Sequence, residues 1–145
     1  MKRVIGIGNA LTDMLVNLKT DSVLGRFKLA KGSMSLVDTK LQTEISKSVA
    51  GLPYSLSLGG SAGNTIRAMA QLGCSVGFIG KVGRDSLSRM VMRTLEGQGV
   101  DLSCVTVSDQ GQIGLAFLEY LPGGGRNYQY YRKHSVGSLL GADDL

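Results

Sequence analysis

The chain has 145 residues, 43% of them hydrophobic and 19% charged, with a net charge of +5. That is enough chain for one domain with its own core and too apolar for a disordered segment. It lacks the continuous Lys/Arg run interleaved with aromatics that nucleic-acid binding asks for. No stretch approaches the ~18 apolar residues of a membrane span. Asn9, Thr12 and Asp13 interrupt the apolar run behind Lys2-Arg3 before it can serve as a signal peptide, so a cytoplasmic protein is expected, with neither nucleic acid nor membrane as partner. Cys74 and Cys104 have no metal or redox spacing, and no metal site is expected from these residues. Glycine is the deviation: 21 in the chain, about twice the usual ~7%, spread over turns between short elements.

In chain order, Arg3 to Gly8 reads as a short buried strand. Gly6-Ile7-Gly8 is no dinucleotide fingerprint, because Leu11 stands where the third glycine belongs. The polar corner Asn9 to Asp13 follows, where open α/β sheets bind ligands; Asp13 is either a ligand-facing carboxylate or a turn-former. Met14 to Leu18 alternates, Thr20 to Phe27 reads as a short helix or turn, and Ser33 to Val37 as a strand. Thr39 and Gln42 make a capping box for a helix with Leu41, Ile45 and Val49 on one face, stopped by Gly51 and Pro53.

Tyr54 to Leu58 alternates as a half-buried strand and leads into Gly59-Gly60-Ser61-Ala62-Gly63-Asn64-Thr65. Ala62, Ile66, Met69 and Ala70 then recur at helical spacing, and Gly73 stands at the C-cap. Two adjacent glycines permit a hinge and close approach of a ligand to the backbone. Asn64 is either a ligand-binding amide beside free N–H groups or an N-cap.

Ser75 to Ile79 reads as a buried strand ending in Gly80-Lys81-Val82-Gly83, which lacks the Ser or Thr and first glycine of a P-loop. Asp85 caps a helix with Leu87, Met90, Val91, Thr94 and Leu95 on one face, ended by Gly97 and Gly99, and Val100 to Val107 is the next strand. Strand, helix, strand, helix, strand predicts a parallel βαβ sheet. Residues 113–132 read as a hairpin turning at Pro122 to Gly125, with Tyr128, Tyr130 and Arg132 on one face, placed to line a site, an interface or only a packed sheet.

Three motifs together resemble the ribokinase-like (PfkB) carbohydrate and nucleoside kinases across essentially the whole chain. They are Ile7-Gly8-Asn9-Ala10-Leu11-Thr12-Asp13, Gly59-Gly60-Ser61-Ala62-Gly63-Asn64 and Phe78-Ile79-Gly80-Lys81-Val82-Gly83-Arg84-Asp85. The first looks most like the adenosine kinase branch; Tyr130-Tyr131-Arg132 looks more like kinases of keto-deoxy sugar acids. The resemblance implies an α/β fold, mostly parallel, flanked by helices, with a small β lid from residues of about 13–18, 33–37, 54–58 and 113–132. It implies ATP-dependent transfer to a primary hydroxyl of a sugar or nucleoside, with ATP and Mg2+ as cofactors bound largely outside this chain. Asp13 and Asn64 would grip sugar hydroxyls, Gly60 and Ser61 would lie against the substrate, Asn9 and Leu11 would line its far side, and Gly59-Gly60 would be the hinge. Separately from the resemblance, an antiparallel hairpin inserted into an α/β chain suggests a lid or a dimer surface, so homodimerisation through the β lid is a further expectation.

Three positions depart from the family pattern. Ser88 stands where a glycine is usual, and Lys133-His134-Ser135 replaces a small step, leaving His134 without a role. Gly141-Ala142-Asp143-Asp144 imitates the family's Gly-Ala-Gly-Asp catalytic motif without its second glycine and is read as a helix cap. The chain is therefore expected to be the substrate-binding half of a kinase, residues 1–145 of one domain, with no catalytic base and no turnover alone. The competing readings are a non-catalytic sugar- or nucleoside-binding module and a dimerising module.

Overall fold

The computed structural model describes residues 3–120 and 126–145, and within them the chain builds two sheets that it crosses between three times. The first sheet is wholly parallel, in the order β1 (Val4–Ile7), β5 (Val76–Val82), β6 (Asp101–Val107). Parallel neighbours need a crossover, and α4 (Ser86–Glu96) supplies it between β5 and β6, while α3 (Ser61–Gln71) leads into β5. Both helices lie on one face, where Ile66, Val91 and Leu95 pack against Val76, Phe78 and Val82 of β5. Leu95 and Val91 are fully buried.

The second sheet has five strands in the order β3 (Met34–Leu36), β8 (Arg126–Tyr131), β7 (Gly114–Tyr120), β2 (Leu11–Val16), β4 (Tyr54–Gly59). Its pairings are mixed: β7–β8 and β2–β4 run antiparallel, β2–β7 and β3–β8 parallel. α2 (Thr39–Val49) covers one face through Ile45, which joins Val37, Leu115, Phe117 and Tyr131 in a second core. The short helix α1 (Ser22–Arg26) lies between β2 and β3 and buries Leu24.

The α/β arrangement with mostly parallel pairing and flanking helices is as expected, with local differences. β4 joins the second sheet, so the step β4–α3–β5 crosses between sheets and is not a βαβ unit of one sheet. Asp13 lies inside β2, paired with Ser57 and Ala116, and is not a turn residue. β5 runs on through Gly80 to Val82 because Ser108 N bonds Val82 O and β6 pairs along that stretch. α2 is capped by Asp38 and not Thr39: the extended backbone at Asp38 sets its Oδ1 2.7 Å from Leu41 N. Gln42 instead donates to Ser46 Oγ, so there is no capping box. Asp85 caps α4 as expected, accepting from Ser88 N at 2.9 Å. The left-handed Gly73 and Gly99 follow the ends of α3 and α4. The turn expected at Pro122 to Gly125 lies outside the described residues.

Candidate functional site

The two sheets meet in a cleft of about 630 Å³ whose lining includes Asn9, Leu11, Asp13, Gly60, Ser61 and Asn64. Three separate segments bring these residues together: the β1–β2 step, β2 itself, and the β4–α3 step. Gly59 does not line the cleft but borders it, since a Cβ there would run into the Asp13 carboxylate. Its missing side chain leaves room for that carboxylate to lie across the strand.

Gly60 has φ +85°, and a Cβ on it would stand 2.5 Å from Asn9 O. Both the left-handed backbone and the close crossing of two chain segments therefore demand glycine here. Gly60 is also the residue that opens α3, and no side chain caps that helix end. Asn64 is thus one turn inside the helix, and the N-cap reading of it is corrected: its backbone N–H bonds Gly60 O at 2.9 Å, and its side chain is left for another partner. Asn64 Oδ1 is buried with no hydrogen-bond partner. A buried unpaired amide oxygen costs roughly 1–3 kcal/mol, so its persistence at a cleft points to a donor that comes from outside the chain.

Asp13 is in a comparable state. Half-buried, its carboxylate has no hydrogen-bond or ion-pair partner among the described residues, and burial raises its pKa above the ordinary carboxylate value. Tyr130 is its electrostatic neighbour: burial first, then the Asp13 and Tyr128 charges, push the phenol up, while Arg132 pulls it down. Tyr128 and Tyr130 stack with ring centroids 5.7 Å apart on the same wall, and Arg132 stands exposed at its end. The cleft therefore holds an unpaired carboxylate, an unpaired amide, an uncapped helix end and, across from them, aromatic and aliphatic surface. That combination suits a compact polar ligand with hydroxyl donors on one side and an apolar or ring face on the other.

Several lining residues escaped the sequence reading. Met34 and Leu36, 69% and 71% exposed, and Leu118 form part of the wall. The only signal was the alternation Met34-Ser35-Leu36, which puts both side chains on one face without saying which. Tyr128, Tyr130 and Arg132 were recognised as sharing a face, and that face is the cleft wall.

Outside the cleft lining, Thr12 Oγ1, Gln98 Oε1 and Gln129 Nε2 are also buried without a hydrogen-bond partner. Asp144 lies in the turn Ala142–Asp144, where its carboxylate accepts from Gly141 N at 2.9 Å and pairs with Lys81 Nζ at 2.9 Å. The backbone bond first, then Lys81, hold its pKa low. His134 is exposed, and only its carbonyl is engaged, by Tyr131 Oη–H at 2.8 Å. Cys74 and Cys104 are free and exposed. No group of three metal-ligating side chains occurs among the described residues, and none of their helices is long and apolar enough to cross a membrane.

Residues 30–137 match the family described as pfkB family carbohydrate kinase. Over 87 residues the chain is 36% identical to fructokinase-1 of Zea mays, covering 60% of this chain and 27% of that protein. Over 88 residues it is 35% identical to 2-dehydro-3-deoxygluconokinase of Bacillus subtilis (strain 168), with 60% and 27% covered. The fold superposes on the crystal structure of adenosine kinase from Sinorhizobium meliloti with a TM-score of 0.77 and 28% identity, over 98% of this chain and 42% of that one. The match thus covers less than half the length of each of these relatives.

Proposed function

Because the chain belongs to the pfkB family of carbohydrate kinases, we propose that it is the substrate-binding portion of an ATP-dependent phosphotransferase acting on a primary hydroxyl of a sugar or nucleoside. The observation that carries this reading is the pairing of two unsatisfied acceptors, the Asp13 carboxylate and Asn64 Oδ1, in one cleft. A vicinal diol supplies the hydroxyl donors both lack, and hydrogen bonds to a charged acceptor are the stronger kind. Leu11 and the Asn9 backbone back the ligand, and Gly60 and Ser61 meet it edge-on at the start of α3.

In this reading the five-stranded sheet is a lid and Gly59–Gly60 its hinge. Closing it excludes water, which otherwise competes for the phosphoryl group. The described residues hold neither a P-loop nor a cluster of ligands for Mg2+. ATP and Mg2+ are bound largely outside this chain in this reading. What this chain contributes is binding, orientation and exclusion of water. Isothermal titration with neutral ketoses, ribose, adenosine and a 2-keto-3-deoxy sugar acid tests the reading. Binding of any of these that is lost in Asp13→Asn supports it, and no binding to the folded chain counts against it.

One observation favours a narrower, second reading. Arg132 is on the cleft wall beside Tyr130 and has no ion-pair partner among the described residues. A guanidinium there suits a substrate carboxylate, as a keto-deoxy sugar acid carries. Arg132→Gln separates the readings: it weakens a sugar acid selectively if the acid is the substrate, and leaves neutral sugars and adenosine untouched.

A further inference from the structure

The chain crosses between the two sheets at three places. One is the Gly59–Gly60 step, by which it leaves the second sheet, with Asn9 O close against Gly60. Another is Gly111 to Gly114, by which it enters that sheet between β6 and β7, where neither glycine has a left-handed backbone. Contacts fix that entry instead. Ile113 N, immediately ahead of β7, donates to Asp85 Oδ2 at 3.2 Å. The same oxygen accepts from Ser88 Oγ–H at 2.7 Å, while Oδ1 accepts from Ser88 N at 2.9 Å. Ser88 Oγ in turn takes the N–H of Gly83 at 2.9 Å.

The result is a branched hydrogen-bond network centred on the Asp85–Ser88 pair, with Gly83 at the end of β5 on one arm and Ile113 at the start of β7 on the other. Its Ser88 and Ile113 are 1% and 2% exposed, and Asp85 is half-buried. A Cβ on Gly83 would stand 2.6 Å from both Asp85 Oδ2 and Gly111 O, so the three segments are in contact. The network also explains Ser88, whose hydroxyl relays Gly83 N–H to the Asp85 carboxylate where a glycine would leave that link unmade. Burial acts to raise the Asp85 pKa, but the bonds from Ser88 and Ile113 outweigh it and hold the carboxyl below its ordinary value.

Capping accounts for only part of this arrangement. A cap needs the carboxylate to accept from the N–H of Ser88. The bond to Ile113, 28 residues away at the entry to the other sheet, adds nothing to the helix. It acts instead on β7, whose Ala116, three residues further on, is the cross-strand partner of Asp13.

We propose that Asp85 is a positioning residue: it holds the entry of β7 against the start of α4 and so sets the angle at which the second sheet stands over the cleft. The proposal rests on the reading of that sheet as a lid, and concerns a crossing remote in sequence from the Gly59–Gly60 hinge. Asp85 touches no substrate. It limits the lid's resting positions and thereby the spacing between Asp13 on one side and Asn64 on the other.

Asp85→Asn separates capping from positioning. Asn caps helices as well as Asp, and its oxygen still accepts from Ser88 N, but its NH2 cannot accept from Ile113. Spin labels at Cys74, between α3 and β5, and at Lys47→Cys on α2, in a Cys104→Ser background, report the distance between the two sheets' layers; Cys74 and Lys47 are both exposed. In Asp85→Asn the distance distribution broadens or shifts and the Ile113 amide exchanges about 10-fold faster or more, while α4 amides stay protected. A folded variant with an unchanged distribution overturns the proposal. Should the variant not fold, the native protein decides: Ile113 exchanges far more slowly than Gly111 in the same loop, and equal rates overturn it. Fructose, adenosine and a keto-deoxy sugar acid are then added at saturating concentration. If none narrows the native distribution while Asp85→Asn remains broadened, the lid reading fails and Asp85 keeps its role. If one narrows both proteins equally from the same starting distribution, the lid stands and Asp85 does not.

Discussion

Replacing Asp13 by Asn removes one charge and changes little else, and the structure gives that change two opposite consequences. In the free protein the carboxylate is half-buried without a partner, and burial raises its pKa above the ordinary 3.8. A folded pKa above the unfolded one means the native state holds the proton more tightly. This group therefore favours folding at low pH and loses that contribution as pH rises from the unfolded value through the raised folded one; at pH 7 the ionised group is a net burden. Asp13→Asn should be more thermostable than the parent at pH 7, and that advantage should shrink toward pH 3. Ligand binding should move the other way. An ionised acceptor to hydroxyls is worth about 1.5–3 kcal/mol, so affinity for the bound sugar or nucleoside should fall roughly 10- to 150-fold. Calorimetric unfolding at both pH values and isothermal titration on the same preparations measure both. A variant that loses stability at pH 7 and binds like the parent would refute the argument, because Asp13 would then be a structural strand residue.

Asn64→Ala should leave the melting temperature unchanged or raise it, since Oδ1 has no partner to lose, while weakening the same ligand; thermal melts and titration report both. Gly60→Ala should cost about 1–3 kcal/mol in a denaturant melt, because φ +85° and the 2.5 Å approach of Asn9 O both oppose a Cβ. Leu95→Ala, at a fully buried position between α4 and β5, should cost about 2–5 kcal/mol in the same assay without changing ligand specificity. Gly59→Ala should displace the Asp13 carboxylate, and so reduce affinity more than stability.

Much of this was legible because the residues concerned obey local rules. Asp85 capping α4, the apolar stripe through Val91 and Leu95, and the glycines after α3 and α4 follow from periodicity and backbone chemistry within a few residues. Asn64 was ambiguous because Ser61, Gly60 and Asn64 all suit a helix start, and only the left-handed backbone of Gly60 decides among them. Thr39 is ambiguous for a similar reason: Asp38 beside it is an equally good cap, and the extended backbone at Asp38 decides between them. What alternation could not supply was sheet membership: Tyr54 to Gly59 alternates in the same way whether it pairs with β5 or, as it does, with β2, and only the resemblance groups it with residues 13–18, 33–37 and 113–132. Met34 and Leu36 could not be assigned to the cleft until β3 was seen to pair with β8. The tether from Asp85 to Ile113 spans 28 residues and two sheets, beyond the reach of any spacing rule.

The central claim is that the cleft between the sheets receives a hydroxylated small molecule. It is tested most directly by assigning the amide resonances of this chain and titrating it with fructose, ribose, adenosine and a 2-keto-3-deoxy sugar acid. The account predicts that at least one of them shifts the amides of Asn9, Leu11, Asp13, Gly60, Ser61 and Asn64 together, with saturation. Shifts confined to another surface, such as the Arg84, Arg89 and Arg93 face of α4, or no saturable shift from any of them, would contradict it.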